Sequence, residues 1–421
     1  RALAAWITLL PVALLAANPP AAASPIVAQP SPPLEEIIVT ASLRERPLAA
    51  VPASVTVLGQ ETLQSAGLQH FGDVLGLVPN LNWSGGTSRP RFLQLRGIGE
   101  LEQYQGAPNP SVGFLIDDID LSGVGMPATL FDAQQVEVLR GPQGTRYGAN
   151  ALAGLVKIKT RDAATTPDFH AEVTGAENDT WSAGLAGGGP IGSAGSAWRI
   201  AGQTFSSDGF LRNAYVGRDD TNGRDESTLR GKLRWELAPG WRANIAALYV
   251  DIDNGFDAFA VDNSRTTLAD RPGRDAQRTR GVSADVAGRI GDYTVRSVSA
   301  YARSDSVYSF DGDWGNDAYW GEFAPYDYVA RYARGRSALS QDFRVESNPG
   351  GGADWVAGLY ALRLHEDSQQ RDEFAGELLG GLLPPVQLVV LALVELAGGA
   401  IQPQENVRSE LVTGLLDPFG D

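Results

Sequence analysis

The acids Asp311, Asp313, Asp317 and Glu322 are spaced roughly like the oxygen ligands of a calcium loop. Asn316 stands where such a loop needs its sharp-turn glycine, so no ion is expected there. Asp117 and Asp118 form a second acidic pair, but no histidine or third carboxylate at ligand spacing accompanies them, and a polar turn is expected. The three histidines, His70, His170 and His365, are scattered and suggest neither a triad nor a metal site. There is no cysteine, which excludes disulfides, thiolate metal sites and cysteine nucleophiles. Gly141-Pro142-Gln143-Gly144 and Gly187-Gly188-Gly189 lack the lysine and the helix context of a phosphate loop. Neither an enzyme nor a cofactor is therefore expected. What remains is binding. Residues 304–336 carry Tyr308, Phe310, Trp314, Tyr319, Trp320, Phe323, Tyr326 and Tyr328 among acids, a surface suited to a planar or apolar ligand. Tyr308, Trp314, Tyr319, Trp320 and Tyr326 are the candidate ligand contacts, and Phe256 and Phe259 extend the set. Lipopolysaccharide contact or simple loop packing would account for the same aromatics.

These residues must be positioned by a chain of 421 residues with 34 basic and 50 acidic side chains, a net charge of -16. Such a balance argues against a nucleic-acid partner, whose phosphates call for basic residues. Arg1 and the apolar run Leu3 to Ala17, followed by Ala21-Ala22-Ala23, have the pattern of a cleaved signal peptide over 1–23. A proline-rich linker over 24–46 follows. It contains Glu35 to Ala41, an isolated strand-forming run suited to adding itself to another protein's sheet, or else to serving as the first strand of the next domain. Residues 47–161 read as a compact α+β domain. Its expected strands are Ser54 to Leu58, Phe92 to Arg96, Val112 to Ile116, Val136 to Leu139 and Leu155 to Thr160, and the spacing of Leu68, Phe71, Val74, Leu75 and Val78 predicts a helix. Gly141, Gly144, Gly148 and Gly154 punctuate the last strand pair and call for special backbone angles or close approaches.

After Thr160 the pattern changes to period two. Leu229, Gly231, Leu233, Trp235 and Leu237 alternate with Thr228, Arg230, Lys232, Arg234 and Glu236, and eight further strands can be drawn between Phe169 and His365. A soluble β-sandwich would turn the apolar faces inward, whereas an outer-membrane barrel turns them to lipid and keeps the charges in a wet lumen. Tight joints at Ala238-Pro239-Gly240 and Gly291-Asp292 alternate with long connections at Asp251 to Arg280 and Ser304 to Arg336, which favours the barrel. Residues 378–401 are apolar, interrupted by Pro384-Pro385 and without alternation, and fit neither a good transmembrane helix nor a strand. An extracellular-loop helix or a sequencing frame error would explain them. The start at Arg1 and the stop at Asp421 lead us to expect a piece of a longer chain.

Together these motifs resemble those of TonB-dependent outer-membrane receptors. Glu36-Ile37-Ile38-Val39-Thr40-Ala41 is similar to a TonB box. Pro79-Asn80-Leu81, Leu95-Arg96-Gly97-Ile98-Gly99, Val112 to Asp117, and Val136 to Gly144 with Tyr147-Gly148 resemble the ordered motifs of the family's plug domain, of which Arg96, Gly97, Arg140, Gly141, Pro142, Gly144, Tyr147 and Gly148 are the signature positions. The resemblance implies a transmembrane antiparallel β-barrel of roughly 22 strands, of which residues 162–421 would supply nine or ten, with the α+β plug in its lumen. It implies active uptake of a scarce substrate, most often a ferric siderophore, by a monomeric outer-membrane protein in contact with lipid and driven by TonB and its inner-membrane motor. Cobalamin or an oligosaccharide would be an alternative cargo, and a passive porin or adhesin an alternative function. Arg89, Arg91, Arg96, Arg140, Arg146 and Arg161 are expected to donate to carboxylates on the inner wall or to brace the plug itself.

Overall fold

The computed structural model describes residues 37–39, 46–84, 88–100, 110–125, 129–192, 195–321, 327–347 and 355–375. The readings of 1–23 as a signal peptide and of 378–401 as an anomaly lie outside the described residues.

The chain enters as β1 (Ile38–Val39), which pairs with β2 (Arg46–Pro47), and continues into β3 (Ser54–Gly59), α1 (Gln60–Ser65) and α2 (Phe71–Val74). A two-stranded ribbon follows, β4 (Leu81–Ser84) with β5 (Phe92–Leu95). Then come β6 (Val112–Ile116), β7 (Ile119–Asp120), β8 (Ala133–Arg140), the short helix α3 (Gly144–Tyr147) and β9 (Gly154–Thr160). The main sheet of this domain runs β3-β8-β9-β6-β7. It is covered on both faces, which is why β6 and β8 read as apolar runs without alternation. On one face Phe71, Val74 and Leu63 pack on Val136, Val138, Val156 and Phe114, and on the other Leu115, Leu139 and Leu155 meet Val55 and Tyr147.

The helix predicted across Leu68 to Val78 is broken in two. Gly67, at φ +63, ends the turn after α1 in the left-handed region. His70 is extended and starts α2, where the Asp73 carboxylate accepts from the backbone N–H of His70 at 2.9 Å and of Gln69 at 3.1 Å. A 3₁₀ turn at Leu75–Leu77 completes the segment. The apolar stripe still faces the core, because Phe71 and Val74 are fully buried and Leu68 and Leu75 pack against them.

The rest is a meander of long antiparallel strands: β10 (Asp168–Ala176), β11 (Thr180–Ile191), β12 (Ser196–Ser207), β14 (Arg224–Ala238), β15 (Trp241–Phe256), β17 (Gly273–Ile290), β18 (Tyr293–Asp311), β19 (Asp327–Ser347) and β20 (Val356–Ala375), joined in that order into one nine-stranded sheet. Two short strands, β13 (Arg212–Asn213) and β16 (Thr266–Thr267), pair with each other in the long connections. Alternation places Leu185, Ile200, Leu229, Leu237 and Leu359 on one face, each more than half exposed, and Arg199, Arg230 and Ser283 on the other, where they are buried against the first domain. The sheet therefore wraps its polar face around the small domain and shows its apolar face outward, the reverse of a sandwich.

The strands are longer than the sequence suggests, because polar residues continue the ladder beyond the apolar stretch. β18 and β19 stay paired as far as Asp311 opposite Val329, so the long connections shrink to 257–272 and 312–326, and Tyr308 and Phe310 belong to a strand. The tight joints fall where expected, with Gly240 at φ +76 and Gly291 at φ +58.

Candidate functional site

At the long-loop rim of the sheet the aromatics of three strands and two loops form one cluster. Phe256, at the end of β15, lies 5.1 Å from Tyr308 and 5.8 Å from Phe259 between ring centroids. Phe259 stacks on Trp314 at 5.2 Å and meets Phe310 at 6.1 Å, and Tyr308 and Phe310 both lie against Tyr332 of β19. Tyr308 is buried inside the cluster, whereas Trp314 is 44% exposed at its free end. The candidate contacts therefore divide. Tyr308 supports the surface, Trp314 presents it, and Tyr319 and Trp320 form a separate edge-to-face pair on the single-turn helix α4 (Asp317–Trp320). Tyr326 lies outside the described residues. Tyr332 was missed because it lies inside a strand, in the middle of what reads as a loop.

Two of the acids accept from backbone amides, and Glu322 lies outside the described residues. Asp311 accepts from the amides of Asp313 and Trp314, and Asp313 from those of Gly315 and Tyr328. Asn316, in place of the glycine, caps α4 by accepting from Tyr319 N at 2.9 Å. Among the described residues no three histidine or acidic side chains are arranged to hold a metal ion.

Below the aromatic cluster the plug-side loop reaches the wall through Arg89. Its guanidinium donates to Asp275 of β17 at 2.5 and 3.1 Å and to Gln277 at 2.7 Å, while Ser88 donates to the same carboxylate. Arg91 lies 4.0 Å from Asp275. Burial, with Arg89 and Arg334 nearby, pushes its guanidinium down to about 10 against the opposing pull of Asp275 and Tyr308. A hydrogen-bonded path continues from Ser88 to Asn254, from Asn254 to Glu226, and from Glu226 to His70 at 2.8 Å.

The remaining arginines behave differently from one another. Arg140 donates to Pro79 O and to Thr56 Oγ1 and so braces the small domain internally. Arg161 lies 3.6 Å from Asp168 at the start of β10. Arg96 adopts φ +55 at an exposed turn, and the Arg146 side chain lies outside the described residues. Several of the contacts run in the opposite sense to the one expected, with cations on the wall and acceptors on the plug. Arg199 of β12 holds Asp132 by two hydrogen bonds, at 2.5 and 2.8 Å, and Asp168 by two more at 2.9 Å. Arg230 donates to Phe131 O, and Lys232 to Thr160 O with Asp117 at 2.9 Å. Asp117 and Asp118, expected as a polar turn, do form one, both with positive φ.

Glycines set how closely the layers approach. A Cβ on Gly154 would lie 2.3 Å from Leu95 Cδ1 and 2.4 Å from Leu139 O, and one on Gly184 would lie 2.6 Å from the Phe131 ring. Gly141 and Gly97, at φ +125 and +78, need their freedom, whereas Gly144 has open space around its Cα. Pro142 lies between β8 and α3. Tyr147, which ends α3, lines a polar cavity with Asp118, Lys157, Arg296 and Tyr360, and Gly148 opens the following 3₁₀ turn.

At the entrance, β1, read either as a strand for another protein's sheet or as the first strand of the next domain, pairs within its own chain. Val39 is fully buried, Leu48 N donates to Ile37 O at 2.8 Å, and Gln135 Nε2 donates to Ile38 O at 3.0 Å. Glu36, Thr40 and Ala41 lie outside the described residues.

A small mixed domain with these motifs, cradled by the polar face of an outward-apolar sheet, matches the family model of the TonB-dependent receptor plug domain over residues 47–155. Residues 47–155 belong to the TonB-dependent receptor plug domains. This receptor is 30% identical over 216 residues to the pesticin receptor of Yersinia pestis, a match covering 50% of this chain and 31% of that protein. It is 27% identical over 255 residues to the vitamin B12 transporter BtuB of Vibrio vulnificus, covering 55% and 38%. In fold it is similar to the ferric yersiniabactin uptake receptor FyuA of Yersinia pestis, with a TM-score of 0.65, 24% identity, and 76% and 50% of the two chains covered. The ferripyoverdine receptor of Pseudomonas aeruginosa gives a TM-score of 0.63 at 18% identity, covering 79% and 45%. The matched part is half or less of the length of each of these relatives. Among the described residues no helix is long and apolar enough to cross a membrane, and the outward apolar face of the nine-stranded sheet is the surface that lipid would cover.

One ion pair in the receptor's plug makes its hold sensitive to acid. Burial alone would raise the Asp118 carboxyl, but Lys157 Nζ at 2.7 Å, with Arg296 and Arg344 beyond it, holds it down at about 2. Burial would likewise lower the Lys157 ammonium, and Asp118 keeps it above its usual range. A carboxyl depressed by folding contributes stability that is full above its unfolded value near 3.9 and is lost as pH falls towards about 2. Plug residues should therefore become protease-sensitive over that acid window. In Lys157→Met the buried carboxyl loses its ammonium and burial raises its pKa, so the plug should be protease-sensitive already at neutral pH and should gain, not lose, protection from this group as pH falls; a variant with the unsubstituted profile in a proteolysis titration would refute this.

Proposed function

We propose that the full receptor imports a scarce substrate too large for porins, a ferric siderophore or similar iron chelate, by capture at the long-loop rim followed by TonB-driven rearrangement of the plug. In this reading residues 1–23 are the signal peptide, 24–46 the tether with its TonB box at 35–41, 47–161 the plug and 162–421 the first part of the barrel. It acts as a monomer, without catalysis or cofactor. Its partners are TonB with the inner-membrane motor complex on the periplasmic side and lipid around the wall. The supporting observation is the contiguous aromatic surface from Phe256 to the exposed Trp314 at the long-loop rim. Planar, partly apolar chelates are recognised by such ring faces. The ferric yersiniabactin and ferripyoverdine receptors among its structural neighbours favour an iron chelate, whereas BtuB keeps cobalamin open as an alternative, as an oligosaccharide also is.

Cells carrying the full receptor should accumulate radiolabelled ferric chelate, and a protonophore should stop the accumulation without reducing surface binding. Uptake that persists with the protonophore would favour a passive porin, and binding without any uptake an adhesin. Trp314→Ala should weaken surface binding of the chelate by about tenfold, the loss of roughly one stacked ring. An unaltered binding curve would remove the aromatic cluster from the substrate site.

A further inference from the structure

Asp311 ends the 19-residue strand β18 on the long-loop side, well past the roughly 9 to 11 residues that cross a bilayer. Its Oδ1 accepts from the amides of Asp313 at 3.1 Å and Trp314 at 3.2 Å. Its Oδ2 is buried without a hydrogen-bond partner among the described residues, in a side chain that belongs to a residue only 5% exposed. An ionised carboxylate held so would leave a charged oxygen without a donor. The charges that act on it most strongly are Asp313 in the same turn and Asp270 in the loop before β17, both acids. Tyr328 of β19 closes the turn, donating its amide to Asp313 and its hydroxyl to Asp372. Burial and the two like charges push the Asp311 carboxyl up to about 7, against the weaker pull of the two amides. Among the described residues no three acidic or histidine side chains are arranged to hold a metal ion, so the cation that fits this turn is the proton. The turn is also strained, because Trp314 stands at φ +61, where a bulky side chain seldom sits. It is joined to the loop before β17 by Asp270 N donating to Gly315 O at 3.1 Å and by the stack of Trp314 on Phe259.

We propose that Asp311 is a proton-operated latch: protonated, it holds the turn against the loop before β17 and fixes Trp314 on Phe259; ionised, it repels Asp270 across the joint and frees the ring. A carboxyl raised by the fold supports the closed turn fully below its unfolded value near 3.9, and that support is lost as pH rises to about 7. Capture of a chelate is therefore firmest in mildly acidic surroundings, a consequence that rests on the reading of Trp314 as a substrate contact.

The chain has no cysteine, so a single nitroxide can be placed on the full receptor through Ala318→Cys, an exposed position of α4 in the same loop. The label's mobility, read by electron paramagnetic resonance, should rise from about pH 4 and level off above about pH 7. Asp311→Asn keeps an oxygen for the two amides and cannot ionise, so it should abolish the rise. Asp313→Asn should end the rise about one pH unit lower, because one like charge is gone. A rise that survives Asp311→Asn belongs to another group, such as a histidine, and overturns the proposal. So does a flat profile without either substitution. If Asp311→Asn loses its heat-modifiable gel mobility, Asp313→Asn decides: a profile displaced towards acid supports the latch and an undisplaced one refutes it. Ferric-chelate binding to the same samples separates the latch from the substrate reading. Affinity that falls as mobility rises supports both, whereas a mobility rise at constant affinity supports the latch and removes Trp314 from the substrate site.

Discussion

Deletion of residues 36–41 is expected to reduce chelate uptake to background while surface affinity stays within about twofold, the scatter of a change remote from the ligand. The segment's described residues, Ile37 to Val39, are held by Arg46–Pro47, Leu48 and Gln135. It offers a strand already matched to an edge partner: in the receptor at rest Ile38–Val39 pairs with Arg46–Pro47 and is tied to β8 through Gln135. A periplasmic protein that adds a strand here must displace that short pairing, which consists of two residue pairs. Deletion removes the handle and leaves the rim untouched. Paired measurements of cell-surface binding and energised accumulation check the expectation, and uptake at the normal rate after deletion would end the assignment of Glu36 to Ala41 as the TonB box.

The second large effect concerns the hold of the wall on the plug. Arg199→Leu leaves Asp132 buried with neither of its two guanidinium hydrogen bonds, and Asp168 loses its pair as well. Breaking one partner of a buried ion pair costs about 3–5 kcal/mol, a large share of the stability of a domain this size. The expected result is a plug that leaves the wall more readily, read as sensitivity of cells to bulky antibiotics normally excluded from the outer membrane. Arg199→Leu combined with Asp132→Leu should recover most of the loss, because the uncompensated charge is then gone. A double variant as leaky as the single one would show that geometry, not charge, holds this corner. Phe131 offers a reason to expect recovery: its ring fits against Gly184 with Ala186 and Ala201, an apolar contact that both variants retain.

Much of this was legible in the chain itself. Period-two alternation is a local property, so the run around Leu229 and Trp235 could be assigned to strands and to faces before any partner strand was known. The plug motifs carry backbone requirements that only glycine satisfies, such as the close approach at Gly154. Where strands end was less legible: Ser304 to Asp311 reads as loop because it is polar, yet hydrogen bonding to β19 carries the ladder through it. The predicted helix at Leu68 failed because its apolar spacing spans His70, which is extended and where the Asp73 carboxylate caps a new helix start.

The sequence by itself determined the class of the protein, its two grammars of packing and the order of its motifs, because these depend on neighbours a few residues apart. Only the tertiary structure decided which charge meets which. Arg199 and Asp132 are 67 residues apart in the chain, and nothing local distinguishes them from the other arginines and aspartates. The same holds for the cluster that joins Phe256 to Tyr332. Each is created by strand register, and register is a property of the assembled sheet.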